Sequence, residues 1–318
     1  MKQSLCELLL DYLPRISEVE DFVSTSIANC VFNSFLSYTA IMLNIVSIHA
    51  IRKTSSLPKT LKTLLLSLAV SDVSVGLLVQ PFYTSLLIKL SQEHTPGCDT
   101  HKAFYFIGHL FSLASFLGVL AVSVDRFLAI HLHLRYQELV THQRVVAVAI
   151  SIWVLSLFVS FLLFWVPLDI YSLIVASIAV GGLVLTTMIY IRIYLAARRH
   201  KNQIQVLQVQ QVTQANEIAN FASLMKSAIG IFYVYVVFLI CYLPYVIGLA
   251  VFEIVGSNIT LKKLYFSFST IVFLNSSLNP VIYCWKMRNI RQAVINILRN
   301  MSWFRDRASL ASTGNTTL

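Results

Sequence analysis

Residues 275–283 read Asn-Ser-Ser-Leu-Asn-Pro-Val-Ile-Tyr and close an apolar segment long enough to cross a membrane. Pro280 has no backbone N–H, so it removes one helical hydrogen bond and bends the helix axis. Asn275 and Asn279 place amide groups where hydrocarbon surroundings make them costly unless they are paired. A helix that only anchors a protein has no need of this combination. The segment is therefore predicted to be a moving part of a membrane protein.

The composition is that of a chain embedded in a membrane. Of the 318 residues, 57% are hydrophobic and 12% are charged, and the mean hydropathy is +0.73, which excludes an ordinary soluble domain. Seven apolar runs reach the roughly 20 residues that a membrane-spanning helix requires. They cover residues 27–51, 63–88, 103–131, 145–166, 170–196, 228–252 and 264–285. The expected fold is therefore an all-α membrane protein, a seven-transmembrane helix bundle.

Four parts are predicted along the chain: an extracellular N-terminus (1–26), the seven-helix domain (27–286), an amphipathic helix 8 (287–301) and a cytoplasmic tail (302–318). Helix 8 is indicated by apolar residues that recur at helical spacing from Ile290 to Met301, with polar and charged residues on the other faces. The stretch 200–221 is interpreted as a helical extension of the fifth span followed by a flexible turn. A disordered polar loop is the alternative.

The distribution of charge predicts the orientation in the membrane. Most cations adjoin the inner ends of the spans or lie in the tail, whereas most acids lie on the opposite side. By the positive-inside rule, the N-terminus is expected outside the cell and the C-terminus in the cytoplasm of a multi-pass plasma-membrane protein. The net charge of +10 is then an orientation signal and no evidence for binding to nucleic acid.

Polar and charged residues at bilayer depth carry the functional signal, because each charge at mid-helix costs about 2.5–3.5 kcal/mol on insertion scales. They occur in every predicted span except the fifth: Asn44, Asp72, Asp125-Arg126, Trp153, Cys241-Tyr242-Leu243-Pro244 and Asn279-Pro280. Over about residues 27–300 the chain thus resembles the rhodopsin family of G-protein-coupled receptors. The resemblance implies a receptor, not an enzyme, that binds an extracellular ligand and activates a heterotrimeric G protein. Arrestin and membrane lipid are further expected partners.

The resemblance also implies roles for individual residues. Asp72, Ser115, Asn275 and Asn279 match the polar cluster that holds a sodium ion in inactive family members, with Asp72 as the metal ligand. A hydrogen-bonded network of these groups with water and no ion is the alternative. The activation switch is expected at Asp125, Arg126, Tyr190, Pro244, Pro280 and Tyr283. Leu224 stands where many relatives carry a glutamate, which predicts a weak restraint between spans three and six and raised basal activity.

An outer ligand pocket is expected to be lined by Phe82, Tyr83, Tyr105, His109, Phe111, Tyr242, Ser269 and Phe273. Mostly aromatic walls with few charges favour an apolar or weakly polar ligand. His109 is the main polar candidate, and a simple hydrogen bond to a neighbouring helix is the favoured alternative. Gly108 stands where amine receptors carry an aspartate, and Phe273 stands where opsins carry the retinal lysine. Around the outer mouth a ring of lysines is predicted: Lys89, Lys102, Lys262 and Lys263.

The chain departs from the family pattern on its outer side. The connection between the fourth and fifth spans holds no cysteine, so the usual disulfide to this loop cannot form. Cys98 then has Cys6 or Cys30 as extracellular partners, and a Cys6–Cys98 bridge and free thiols are both open. Gly181-Gly182 replaces the proline of the fifth span and is interpreted as a source of flexibility. These features resemble the melanocortin, lysophospholipid, cannabinoid and adenosine receptor group, whose ligand residues are not matched.

Two other functions deserve comparison with the receptor interpretation. A seven-helix transporter or light-driven pump would favour acidic relays and a retinal lysine, and the sequence has neither. A non-signalling relative that acts as a scaffold or partner subunit is favoured by the altered fifth span and opposed by the intact Asp125-Arg126 and Asn279-Pro280.

Two kinds of modification are expected. Asn258-Ile259-Thr260 is an acceptor sequence for N-glycosylation. The serines and threonines of the tail are candidate phosphorylation sites for arrestin binding, with an unmodified disordered tail as the alternative.

Overall fold

The computed structural model describes residues 11–92, 97–132, 135–206 and 213–299. Within these ranges there is no β-strand, and seven long helices are followed by a short one. They are α1 (Val19–Lys53), α2 (Lys59–Ser91), α3 (Cys98–Leu132), α4 (His142–Phe161), α5 (Leu168–Val206), α6 (Thr213–Val255), α7 (Ile259–Lys286) and α8 (residues 288–299). The predicted seven-helix bundle is confirmed.

Helix α7 shows why hydropathy alone understates the number of spans. In the described part of the chain, six helices, α1 to α6, are long and apolar enough to cross a membrane by composition. In α7 the pair Lys262-Lys263 and the polar run 275–279 dilute the apolar residues. Yet α7 is 28 residues long, contains Pro280 and packs along both α1 and α6. The buried polar residues that lower its hydropathy are those that identified it in the sequence.

Three helices extend well beyond the predicted boundaries, and one of them, α6, begins at Thr213 rather than near residue 228. Helix α1 begins at Val19 rather than near residue 27, after a 3₁₀ turn at Ile16–Glu18. Its polar outer turns are held to α7 by Phe22, which is fully buried and meets Phe266 with ring centroids 5.1 Å apart. The helical extension predicted for α5 reaches Val206. The turn predicted beyond it falls on 207–212, outside the described residues, as do the tail phosphorylation sites.

Helix α3 lies at the centre of the bundle and packs against α2, α4, α5 and α6. The inner half of the bundle has a continuous apolar core that includes Leu65, Val122 and Ile231. Helix α8 joins this core through Ile290 and Ile297, as the amphipathic pattern predicts. Large apolar side chains such as Phe35 and Phe158 are exposed on the perimeter. A membrane would cover them, because lipid tails are as apolar as these side chains.

Two glycines allow close helix packing. Gly76 is the second residue of a π-helical turn, Val75–Val79, inside α2. A Cβ on Gly76 would lie 2.8 Å from Ile41 Cγ1. A Cβ at Gly182 would overlap the Phe116 ring at Cζ. The structure therefore gives Gly182 a steric role, the close approach of α5 to α3, in addition to the flexibility predicted for it.

Candidate functional site

At the end of the bundle that carries α8, Asp125 and Arg126 form a buried ion pair, with 4% and 2% of their side chains exposed. Arg126 Nε donates a hydrogen bond to Asp125 Oδ2 at 2.9 Å, and Nη2 bonds to the same oxygen. The other carboxylate oxygen, Oδ1, accepts a hydrogen bond from the Tyr136 hydroxyl at 2.6 Å. The Tyr136 hydroxyl also lies 2.9 Å from Thr60 Oγ1 on α2. Both oxygens of Asp125 are thus engaged.

Tyr136 is a site residue that the sequence analysis missed. It opens a short helix, Tyr136–Leu139, in the connection between α3 and α4. Burial, together with the nearby Asp125 carboxylate, raises the pKa of the Tyr136 phenol to about 12. The phenol therefore stays protonated at physiological pH and serves as a donor. A hydroxylated aromatic side chain shortly after Asp125-Arg126 was the available signal.

Tyr136→Phe is expected to raise basal G-protein activation about fivefold. The change leaves the ring in place but removes a hydrogen-bond donor to the charged Asp125 carboxylate. If the resting state loses about 1 kcal/mol, half the free energy of a typical charged hydrogen bond, the equilibrium between resting and active states shifts about fivefold. The measurement is basal activation normalised to surface expression, at pH values between 6 and 8, where no pH dependence is expected. Tyr38→Phe is the matched control, since Tyr38 is 64% exposed on α1. Equal signals from the two variants would contradict the role of Tyr136.

Among the side chains that the structure describes, no acidic residue of α6 pairs with Arg126. The sequence from residue 218 to 252 contains neither aspartate nor glutamate, and Leu224 packs at the edge of the inner core. Arg126 is therefore restrained from α3 itself and from the Tyr136 helix. The weak restraint between α3 and α6 predicted from Leu224 stays a prediction, as does raised basal activity.

A polar centre lies in the middle of the bundle. Asn279 Nδ2 donates to Asp72 Oδ2 at 2.8 Å, and both side chains are fully buried. In the described part of the chain, Asp72 Oδ1, Ser115 Oγ and Asn275 Oδ1 are buried with no hydrogen-bond partner, as are Asn279 Oδ1 and the Tyr283 hydroxyl. Buried oxygens without partners are costly, so this chemistry suits additional ligands such as water or a small cation.

The oxygen ligands of this centre are of the kind that suits hard cations rather than soft transition metals. Among the described residues no three His, Cys, Asp or Glu side chains group in a way that could hold a metal ion. A single carboxylate balances the full charge of a monovalent cation but only half the charge of a divalent one. One carboxylate surrounded by neutral oxygens therefore suits a monovalent cation better.

Amide and indole groups fasten the helices around this centre. Asn44 Nδ2 donates to the carbonyls of Ala40 and Ser276, both at 2.8 Å, and so joins α1 to α7. Trp153 Nε1 donates to Ser67 Oγ at 3.0 Å and joins α4 to α2. These are two of the signature residues recognised in the sequence.

An amide pair between α1 and α2 was missed by the sequence analysis. Asn33 Nδ2 donates to the main-chain carbonyl of Gln80 at 2.8 Å, and Gln80 Nε2 donates to Asn33 Oδ1 at 3.0 Å. Both side chains are fully buried. These bonds satisfy Asn33 Oδ1 and one donor of each amide, whereas Gln80 Oε1 is buried with no hydrogen-bond partner.

The predicted switch tyrosines lie in the inner core. The Tyr190 hydroxyl is 2.9 Å from Ser123 Oγ on α3, and its ring stacks with that of Tyr235 on α6 at 5.5 Å. Tyr283 is buried on α7. Pro244 and Pro280 both lie inside their helices, α6 and α7. The structure thus places the switch residues on the helices that meet at the inner end; their roles in activation stay predictions.

The predicted pocket residues fall into an outer and a deeper group. In the outer group, the Tyr105 and Tyr265 hydroxyls lie 2.8 Å apart, and Ser269 Oγ donates to the Tyr265 carbonyl at 2.8 Å. His109 Nδ1 is 2.9 Å from the Tyr105 carbonyl, and its ring meets Tyr171 edge to face at 5.4 Å. His109 thus bonds within its own helix. Tyr171, Tyr245 and Tyr265 extend this group beyond the predicted residues.

The deeper group links α2, α3, α6 and α7. Tyr83 is fully buried, donates to the Phe266 carbonyl at 2.6 Å and meets Phe273 edge to face at 5.2 Å. Tyr242 stacks on Phe238 at 4.0 Å. Phe111 is buried in the same apolar cluster as Tyr83 and Phe273. Phe82 lies at the edge of this group: it is only partly buried, and its ring lies 6.3 Å from that of Phe104, which also stacks on Tyr83.

The lysines of the outer end are not equivalent. Lys262 was predicted to belong to a ring at the outer mouth, but only 1% of its side chain is exposed, and its Nζ donates to Glu18 Oε2 at 2.8 Å. That prediction is wrong for Lys262, because the N-terminal residues cover the outer end of α7. Lys102 is more accessible and lies 3.7 Å from Asp99.

Cys98 is disulfide-bonded, whereas Cys30, Cys241 and Cys284 are free thiols. Its predicted partner Cys6 lies outside the described residues, so the Cys6–Cys98 pairing stays a prediction.

Comparison with known sequences identifies the class of protein. The family described as "7 transmembrane receptor (rhodopsin family)" matches residues 43–169 and 165–283. The chain therefore belongs to the rhodopsin family of seven-transmembrane receptors. It is a G-protein-coupled receptor of the plasma membrane that responds to an extracellular ligand and is not an enzyme.

Individual relatives differ in the ligands that their names state. The chain is 27% identical to the adenosine receptor A2a of Canis lupus familiaris, over 83% of this chain and 70% of the relative. It is 26% identical to the octopamine receptor beta-1R of Drosophila melanogaster, over 86% of this chain but only 61% of the relative. It is 24% identical to the human melanocortin receptor 5, over 83% and 82%. The names of these relatives point to a nucleoside, an amine and a peptide hormone, and the three sequence identities are nearly equal. Sequence identity therefore does not indicate the ligand of this chain.

Proposed function

We propose that this receptor binds an apolar or weakly polar ligand among the aromatic side chains at its outer end. The observation that carries the proposal is the chemistry of that end, where Tyr105, Tyr265 and His109 offer aromatic rings with polar tips. The buried cation one turn before Tyr265 is Lys262, and Glu18 already neutralises it. Gly108 offers no counter-ion for an amine. A pocket lined in this way favours binding of an aromatic or aliphatic ligand, which a few hydrogen bonds would orient.

We further infer that a sodium ion binds beside Asp72 in the resting state, with Ser115, Asn275 and Asn279 supplying neutral oxygens. The buried oxygens without protein partners support this assignment. A bound cation would lower the cost of the buried carboxylate.

The remaining assignments concern topology and partners. The charge asymmetry supports an extracellular N-terminus and a cytoplasmic C-terminus. Helix α8 is proposed to lie on the inner leaflet, with Ile295 and Leu298, each 53% exposed, facing lipid. Asn258 is exposed and caps α7 through Oδ1, which accepts the Leu261 N–H at 2.9 Å and leaves Nδ2 for a glycan. Arrestin is proposed as a second cytoplasmic partner.

The ligand proposal is tested with cells that express the receptor carrying an N-terminal epitope tag. Intact, unpermeabilised cells should bind the tag antibody. Activation of each G-protein class is then measured after addition of matched organic-solvent and aqueous tissue extracts. The expected result is a response to the organic fraction that is lost in Tyr105→Phe or Phe273→Ala at equal surface expression. A response confined to cationic, water-soluble compounds would overturn the proposed ligand chemistry.

A further inference from the structure

A segment of this chain covers the aromatic side chains at the outer end of the bundle. Residues 11–18 fold back over the outer ends of α6 and α7. The Tyr12 ring stacks on Phe252 of α6 with centroids 4.3 Å apart and lies 5.2 Å from the ring of Tyr265 on α7. Tyr12 and Leu13 are only 9% and 5% exposed, and they belong to the same apolar cluster as the pocket residues Tyr83, Phe111 and Phe273.

Polar bonds fasten this segment on both sides of Tyr12. Before it, the Asp11 carbonyl accepts a hydrogen bond from Ser257 Oγ, in the connection between α6 and α7, at 3.1 Å. After it, Glu18 Oε2 accepts the bond from Lys262 and a second one from the Arg15 N–H at 2.9 Å. The segment is therefore attached to the outer end of α7 and to the connection that leads into it.

The burial of Lys262 distinguishes this attachment from ordinary surface packing. A lysine at the end of a membrane helix normally extends its ammonium group into water. Lys262 instead gives up its hydration and depends on Glu18 for its charge balance. An ion pair of this kind is specific in geometry and breaks as a unit when the segment leaves.

We propose that Tyr12 and Leu13 form an intramolecular ligand that covers the aromatic side chains at the outer end and stabilises the resting receptor. Tyr12 contacts α6 and α7 together, the two helices that contain Pro244 and Pro280. These contacts occur in the same structure as the closed Arg126–Asp125 pair. A diffusible agonist must displace Tyr12 and present an aromatic group to Phe252 and Tyr265 in its place. The inference rests on the proposed ligand site at the outer end.

The signalling test compares Tyr12→Ala with Ile16→Ala at equal surface expression. Ile16 lies in the same segment but is 68% exposed, so it is the matched control. Tyr12→Ala is expected to raise basal G-protein activation about threefold or more, because it removes contacts present in the resting state. Ile16→Ala is expected to match the wild type. Asp125→Asn, which breaks the inner ion pair, is the positive control for coupling.

A second measurement locates the segment without any signalling. A benzophenone amino acid in place of Tyr12, irradiated in membranes, is expected to crosslink to peptides of α6 or α7, and the same group at position 16 is not. Absence of the first crosslink would overturn the proposal, as would an unchanged or lower signal in Tyr12→Ala when Asp125→Asn signals. If neither Tyr12→Ala nor Asp125→Asn raises the signal, the assumed G-protein coupling is wrong. The crosslinks alone then support or overturn the proposed intramolecular ligand.

Discussion

Arg126→Ala is expected to lower both basal and ligand-stimulated G-protein activation at least about tenfold. Arg126 is held inside the inner end by Asp125, and it becomes available to a partner only when that pair opens. Charge-assisted hydrogen bonds from a guanidinium group contribute about 1.5–3 kcal/mol each, so the loss of one suffices for a tenfold change. The measurement is nucleotide exchange on the coupled G protein in membranes with equal receptor content.

Arg135→Ala is the control for the loss of a positive charge near the same membrane face. Arg135 is exposed and its side chain makes no capping bond to the Tyr136 helix. This variant is expected to signal like the wild type. Because Arg126→Ala also leaves Asp125 with Tyr136 as its remaining partner, folding must be checked by surface expression. A well-expressed Arg126→Ala receptor with wild-type signalling would refute the switch assignment.

Asn279→Ala is expected to destabilise the receptor by about 3 kcal/mol, since it leaves the buried Asp72 carboxylate without its donor. For a chain of this size that corresponds to a fall of about 6 °C or more in the melting temperature of the detergent-solubilised protein. In an Asp72→Asn background the same change is expected to cost only about 1 kcal/mol, because a neutral hydrogen bond is lost. Equal costs in the two backgrounds would show that the residues are not coupled.

The same assay separates a sodium ion from a network of water. If sodium binds at Asp72 only in the folded receptor, replacing it by choline lowers the melting temperature of the wild type. The Asp72→Asn receptor is then expected to be insensitive to the exchange. No effect of the exchange on the wild type would favour the water network.

The features that could be predicted from the sequence are the apolar runs that span a membrane and the polar residues that interrupt them. A buried polar residue in an apolar run is costly, so Asp72, Arg126 and Asn279 are visible without a structure, and the observed bond between Asp72 and Asn279 joins two of them. The number of helices followed from the lengths of the apolar runs. For α7 the Asn-Pro motif was the better signal, because its hydropathy is diluted by its own buried polar groups.

The contacts that could not be predicted come from segments that fold back on the bundle. Tyr136, Tyr12 and Glu18 lie in short stretches without periodicity, and nothing in their spacing states which helix they will meet. The burial of Lys262 follows from one of these contacts, so it was missed with them. The start of α1 was misplaced for a related reason: its outer turns are polar and are stabilised by packing against α7 rather than by lipid.

The π turn at Val75–Val79 has a consequence for transferring knowledge between receptors. A π turn closes with an i→i+5 bond and takes in one residue more than the α turn it replaces. Each residue rotates a helix by about 100°, so residues beyond the turn, such as Tyr83, which meets Phe273, are rotated by about that angle relative to their places in a regular helix. A gap-free alignment with a receptor whose second helix is regular would therefore equate residues on different faces throughout the outer half of α2. An inference of ligand specificity from such an alignment would assign each contact in the outer half of α2 to a residue one position away from the correct one.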